Sequence, residues 1–372
     1  MKSLVVFSFM LLSLCSFAQT AAEVNYLNGV KKSDMGDYEG AIIDFNKALE
    51  LFPDYFDVYI NRAMAKFILN DLTGSVTDLD RAIQIDSSSA YAFCLRGILK
   101  NGLEQYTKAI FDFNVAIRQN PKYQTAYHFR AHSFMYLAKF TEAIADLNMV
   151  ILMDSTNTEA YNERGICFNK IGWYKKAFED LNMVIEFDST LSNAFGNRAI
   201  AHMGLGRPSE AIKDLTKLLE FDSNDADAYE SRGIAKDMLN DYKGAIADFT
   251  KALEIDPVNY SYYYHRAISK KKVGNLQAAI ADFDLSIKFN PMFSYSYNNR
   301  ALAKSELKQS AEAMKDYNKA IELEPYTAVY YESRAYLKGN MGDYKGSCTD
   351  MLQSEKLGNP RASEFRKNYC AN

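Results

Sequence analysis

YESR stands at 229–232 and again at 331–334, and the two copies lie 102 residues apart, three times 34. Stepping by 34 from Arg62 reaches Arg96, Arg130, Arg164, Arg198, Arg232, Arg266, Arg300 and Arg334 without a slip. Sixteen residues behind runs a second ladder: Asp44, Asp78, Asp112, Asp146, Asp180, Asp214, Asp248, Asp282, Asp316 and Asp350. An unbroken period of this kind marks a repeat architecture, in which each unit packs only on its neighbours. A chain of 372 residues therefore need not be divided into separate globular cores, although one such core seldom exceeds about 250–300 residues.

One repeat, 226–259, reads ADAYESRGIAKDMLNDYKGAIADFTKALEIDPVN. Tyr229, Gly233 and Lys236 share a helical face, and the stem of Lys236 can cover apolar surface. Asn240-Asp241 breaks that helix. Ala245, Ile246, Phe249, Ala252 and Leu253 then form a second apolar stripe at helical spacing. Asp256-Pro257 stops the second helix, because proline cannot continue it. Small residues recur where the two helices approach, such as Gly97, Gly233 and Ala267 on the first and Ala109, Ala245 and Ala279 on the second. Large ones, such as Leu181, Phe249 and Tyr317, fill the space around them.

This pattern resembles the tetratricopeptide repeat, with its 34-residue helical hairpin, early aromatic, paired small residues and closing proline. The resemblance implies an all-α solenoid of ten antiparallel helix-turn-helix repeats wound into a right-handed superhelix. The copies begin at 22, 56, 90, 124, 158, 192, 226, 260, 294 and 328 and run to 361. Residues 362–372, ASEFRKNYCAN, read as a short C-terminal capping helix over the last apolar face. Several copies close on Ser87, Ser155, Ser189 or Ser223 in place of proline.

The two ladders explain each other. Arg232 and Asp248 are each eight residues from the turn at Asn240, so an antiparallel hairpin brings them level. The spacing predicts an ion pair in every repeat from Arg62–Asp78 to Arg334–Asp350, directed toward the repeat before it. Asn28 takes the arginine's place in the first copy, which has no predecessor. A guanidinium that carries its own carboxylate is architectural; one kept for an anionic ligand would not.

The resemblance further implies that the first helices line a concave groove. Two residues before each arginine stand, among others, Ile60, Cys94, His128, Asn162, Tyr264 and Asn298. Two after each stand Val30, Met64, Ile98, His132, Ile166, Ile200, Ile234, Ile268, Leu302 and Tyr336. Ile60, Cys94, His128, His132, Tyr136, Asn162, Tyr264 and Asn298 are the expected contacts for a protein or peptide partner. His128 and His132 have the i, i+4 spacing of metal ligands, with Cys94 of the preceding copy as a candidate third. No carboxylate near them stands out in the sequence, so the group is read as a binding patch and no metal or cofactor is expected. Exposed Tyr91, Tyr264 and Tyr295 offer the alternative of stacking on sugar rings, which would make the chain a cell-wall or glycan binder.

The bulk composition narrows the classes. With 48% hydrophobic and 24% charged residues the chain is a folded one, and a net charge of −4 with no basic face excludes nucleic acid. Neither a glycine-rich phosphate loop nor a nucleophile motif appears, so an enzyme is not expected. Residues 1–18 read as a secretory signal: Lys2, an apolar run from Leu4 to Leu14, and Ser16 and Ala18 at −3 and −1 of the cut. The run is shorter than the ~20 residues of a membrane span. The expected location is therefore periplasmic or secreted, with lipidation at Cys15 as the rival reading. Cys94, Cys167, Cys348 and Cys370 remain after cleavage. They are expected to be free thiols packed as small hydrophobes, Cys348 and Cys370 being the one plausible pair. End-to-end self-association is expected if the short cap covers the last face poorly.

Overall fold

The computed structural model describes residues 19–370; the signal sequence read at 1–18, with Cys15, lies outside them. The described residues are all-α, with twenty-one helices in sequence. The first covers residues 19–34. Helices of 14 and 13 residues alternate from there as far as Ala328–Asn340, as in Ala226–Met238 followed by Tyr242–Ile255. Adjacent helices pack as antiparallel hairpins, and the hairpins stack into a tetratricopeptide-type solenoid. The array that reads as continuous in sequence is grouped into two compact units, one ending at Phe187 and one beginning at Asp188. Each is a stack of hairpins in its own right.

The turn inside each hairpin has one chemistry. The residue two before the second helix lies in the left-handed region: Gly36, Asn70, Gly172, Gly206, Asn240, Gly274 and Gly342. Glycine and asparagine enter that region at little cost. Glu104, Ala138 and Lys308 occupy it too, at φ of 55–63°, which costs about 1–2 kcal/mol each without such a side chain. The next residue caps the second helix. Asp37, Asp71, Asp241 and Asp343 accept the amide hydrogen of the residue three further on. That residue is a glycine in each case, and a Cβ there would sit 2.0–2.2 Å from the capping carboxylate.

Size matching sets how closely the two helices of a pair lie. A Cβ on Gly97 would fall 2.6 Å from Phe113, and one on Gly165 2.7 Å from Leu181. Phe45, Phe113, Phe249, Phe283 and Tyr317 are essentially without exposure, each facing a small residue of its partner helix.

Arginine and aspartate then join repeat to repeat. Asp78 accepts from Arg62 Nε at 2.9 Å and from Nη2 at 2.5 Å, a two-pronged contact repeated from Arg96–Asp112 to Arg334–Asp350. The remaining Nη1 reaches back into the preceding repeat. In the first unit Arg62, Arg96, Arg130 and Arg164 donate to Asn46, Asp80, Asn114 and Asn148. In the second, Arg232, Arg266, Arg300 and Arg334 donate to Thr216, Thr250, Asp284 and Asn318. Each guanidinium also lies 5.3–5.7 Å from the ring three residues before it, Tyr59 for Arg62 and Phe93 for Arg96.

A third group completes most rungs. Lys66, Lys100, Lys236, Lys270, Lys304 and Lys338 meet the second carboxylate oxygen at 2.6–2.8 Å. Lys236 is therefore more than an apolar stem. Phe134 and Phe168 hold this place in the fourth and fifth copies, with their rings 5.9 and 5.8 Å from Arg130 and Arg164. In the first copy Lys32 and Lys47 alone hold Asp44.

The C-terminal helix runs Pro360–Tyr369, two residues earlier than the sequence suggested, because Asn359 caps it. Ala362 is buried with Ala335 and Met351, and Phe365 packs edge-on to Tyr336 at 5.6 Å. The expectation of free thiols is corrected here, since Cys348 and Cys370 form a disulfide. The cap folds back on the helix Tyr344–Lys356 and brings the two cysteines together, an approach that depends on that packing and not on local sequence. Cys94 and Cys167 are buried thiols.

The rungs differ in a testable way. Arg130→Met leaves the Asp146 carboxylate, 4% exposed, without a cation and is expected to cost about 3–5 kcal/mol in urea unfolding. Arg96→Met leaves Asp112 with Lys100 and is expected to cost about 1–3 kcal/mol. Equal losses would mean the lysine carries none of the pairing.

Candidate functional site

The first helices of successive repeats lie against one another within each unit. Ala90–Gly102 meets Gln124–Tyr136, and Tyr260–Lys272 meets both Ala226–Met238 and Ser294–Glu306. Side-chain bonds link them directly: Ser133 Oγ to Asn101 Oδ1 at 2.8 Å, and Ser269 Oγ to Asp237 Oδ1 at 2.9 Å.

This approach decides which of the two rows beside the arginines is open. The row two before the arginine is largely covered. Ile60 is 6% exposed among Ala63, Leu79 and Leu99, Cys94 is fully buried with Phe93 and Phe113, and Asn298 is 5% exposed. The expectation that these three present side chains to a partner is corrected, because the neighbouring first helix fills the space in front of them. Asn162 is half-buried. Tyr264 is half-buried too, among Phe283, Phe293 and His265, which leaves little of its ring for a sugar. Tyr136 is well exposed and stacks on Tyr106 at 4.8 Å.

The row two after the arginine is the more open of the two. Met64, Ile200 and Tyr336 are 36%, 43% and 48% exposed, and none of Val30, Ile98, Ile166, Ile234, Ile268 and Leu302 is fully buried. The surface is apolar, one side chain per repeat.

One rung of that row is different. His132 Nε2 lies 2.5 Å from Glu163 Oε1, and His128 Nε2 lies 2.9 Å from Glu163 Oε2. The two imidazoles meet edge to face at 5.0 Å, as helical i, i+4 spacing dictates. Glu163 is 8% exposed. Burial pushes its carboxyl up, but the bonds from His128 and His132 outweigh that and hold it below the usual range. The bond to Glu163 likewise raises His128, against the opposing effect of burial. Cys94, the third member suggested by the sequence, is elsewhere: burial pushes its thiol up to about 11, partly offset by a hydrogen bond with Tyr123.

Glu163 was missed because the search stepped by 34. Tyr26 with Asn61, His128 with Glu163 and Tyr264 with Asn299 are each 35 apart and occupy the same slot between first helices. That offset finds the carboxylate from sequence.

Three stretches match the tetratricopeptide-repeat family: 23–55, 197–260 and 294–327. The fold agrees with those matches: about ten helix pairs stacked in the tetratricopeptide manner. A tetratricopeptide repeat protein from Parabacteroides merdae is similar in fold, with a TM-score of 0.50 at 18% identity over 67% of this chain and 99% of that one. YrrB, described as having an unusual peptide-binding site, gives 0.46 at 24% identity over 50% and 95%. An uncharacterized protein of Methanocaldococcus jannaschii is 48% identical over 48 residues, 13% of this chain. The chain spans 56% of that relative's length.

The two repeats that carry the histidine–glutamate group also have the electrostatically odd rungs of the ladder. Burial pushes the Asp146 and Asp180 carboxyls above the ordinary 3.8, and Arg130 and Arg164 offset it only in part. Asp350 is buried too, yet Arg334 and Lys338 together hold it below 3.8. The signs are opposite. The stabilising contribution of Asp146 and Asp180 is complete below 3.8 and is lost as pH rises through their native values; that of Asp350 is present above 3.8 and is lost as pH falls through its native value. Phe134→Lys restores the missing ammonium and is expected to lower the Asp146 midpoint in a carboxyl NMR titration. A midpoint that does not move would assign the difference to burial alone.

Proposed function

We propose that this protein is an exported, non-enzymatic adaptor whose first helices bind an extended segment or a helix of a protein partner. The observation that carries the reading is the open apolar row, with Met64, Ile98, Ile166 and Ile200 among its members. A partner laid along the first helices covers one such side chain per repeat, and each fully covered aliphatic contributes about 1.5–3 kcal/mol before the costs of association. The acidic groups that recur along the chain are committed to arginine and lysine, which supports a scaffold over a catalyst. Export rests on the residue pattern of 1–18, and no helix among the described residues is long and apolar enough to cross a membrane.

The test is capture from the envelope fraction of the source cell. Met64→Asp with Ile98→Asp and Ile166→Asp is compared with Phe111→Asp and Leu152→Asp, whose exposed side chains stand on second helices. A protein held by the wild type and the second-helix variant, and released by the first-helix variant, is the expected outcome. Release by the second-helix variant alone would move the binding face to the other side of the hairpins. Mass spectrometry of the recovered chain is expected to find Gln19 at its start; an intact Met1 would refute export by this signal.

A further inference from the structure

Three side chains of the first unit depart from their rows, and they meet at one point. The row two after the arginine is aliphatic or aromatic in every copy except the fourth, which has His132. The row two before it has a histidine only at His128, and the row one before it has a carboxylate only at Glu163. A scaffold that repeats its choices 34 residues at a time has placed all three exceptions within 4.8 Å of one another, measured between their ligating atoms. We infer that His128 Nε2, His132 Nε2 and one carboxylate oxygen of Glu163 are the protein ligands of a divalent transition cation, zinc foremost.

The chemistry fits that class. Two imidazole nitrogens and one carboxylate oxygen suit zinc, copper or nickel, whereas calcium and magnesium want oxygen throughout. Three protein ligands leave a fourth position for water or an incoming group. Ligand atoms of a tetrahedral zinc site lie about 3.4 Å apart, as metal–ligand bonds of about 2.0–2.1 Å require. His128 Nε2 lies 2.9 Å from one Glu163 oxygen and His132 Nε2 2.5 Å from the other, so whichever oxygen binds, the distance to its own histidine opens by about 1 Å or less as the cation enters. Each imidazole binds neutral, with its proton on Nδ1, and gives the Nε2 lone pair to the metal in place of a hydrogen bond to Glu163. With the ionised carboxylate the occupied site keeps one net positive charge, and the carboxylate of Glu159, which acts on His128, adds to the negative field around it.

The surroundings agree. Both histidines project from the single helix Gln124–Tyr136, and Glu163 projects from Thr158–Lys170, so rigid elements hold all three. Those two helices carry Phe134 and Phe168 where most copies have the ladder's lysine, so neither brings that ammonium against a bound cation. The His132 side chain is 33% exposed, against 17% for His128 and 11% for Glu163. The fourth position therefore opens on the same side as the apolar row.

The experiment uses the full chain, purified without a polyhistidine tag and dialysed against chelator, titrated with zinc chloride by calorimetry. One equivalent per chain is expected. Glu163→Gln and His132→Ile are each expected to weaken binding at least 100-fold. Isoleucine is the residue that the neighbouring copies have at that place, in Ile98 and Ile166, so His132→Ile keeps the fold, and circular dichroism checks it. His265→Ala, in the second unit, serves as the control and is expected to bind as the wild type does. Cobalt(II) gives the independent reading: a visible absorption band of a low-coordinate site in the wild type, absent from His132→Ile. No stoichiometric uptake by the wild type, or equal affinity in wild type and His132→Ile, would overturn the assignment.

Discussion

The Arg–Asp contact holds this structure together because it does two jobs with one planar group. Two nitrogens of the guanidinium bind the aspartate of its own hairpin, and within each unit the third reaches the hairpin before it, as Arg62 does with Asp78 and Asn46. Neither job is open to lysine, which has no fixed fork. Burial of the pair adds little net stability, since both charges leave water. It fixes the register instead: a hairpin displaced along its neighbour would strand a guanidinium and a carboxylate together. The aromatic three residues earlier keeps the fork in place. Where a repeat closes on proline that ring is a tyrosine bonded to the proline carbonyl, as Tyr263 is to Pro257.

Much of this was legible in the sequence. The period, the hairpin, the small-on-large packing and the facing of Arg232 and Asp248 all follow from helical spacing and distance from the turn. What escaped reading depends on the inclination between hairpins. Stepping by 34 places His128 against Asn162, but the first helices are offset by one residue, and the true neighbour is Glu163. The same offset covers Ile60 and Cys94 and leaves Met64 and Ile200 open, so two rows that read alike from one helix differ in exposure. Whether Cys348 and Cys370, the one plausible pair in the sequence, join in a disulfide was undecided there for a related reason, because the two meet only when the cap docks.

The two halves of the chain's chemistry are separated within each first helix. Arginine and its aromatic face the preceding repeat and repeat almost without variation. The rows on either side are free to vary, and there the chain has spent its differences: tyrosines near Tyr264, asparagines at Asn298 and Asn299, and the histidines with their glutamate. A function for one particular partner or ligand is most readily written in those rows, since the arginine and its aspartate are common to nearly every copy.

The third nitrogen of these arginines has a consequence for how such a chain changes length. Its acceptor, whether Asn46, Asp80, Asn114 or Thr250, stands at the same place in whichever hairpin comes before. Excising one 34-residue block joins an arginine to another acceptor of the same kind, and duplicating a block does likewise. The array is thus a set of interchangeable links that can be lengthened or shortened without redesigning a joint. The link between the fourth and fifth copies is less interchangeable, because His128 and Glu163 recognise each other and no other copy has the same pair.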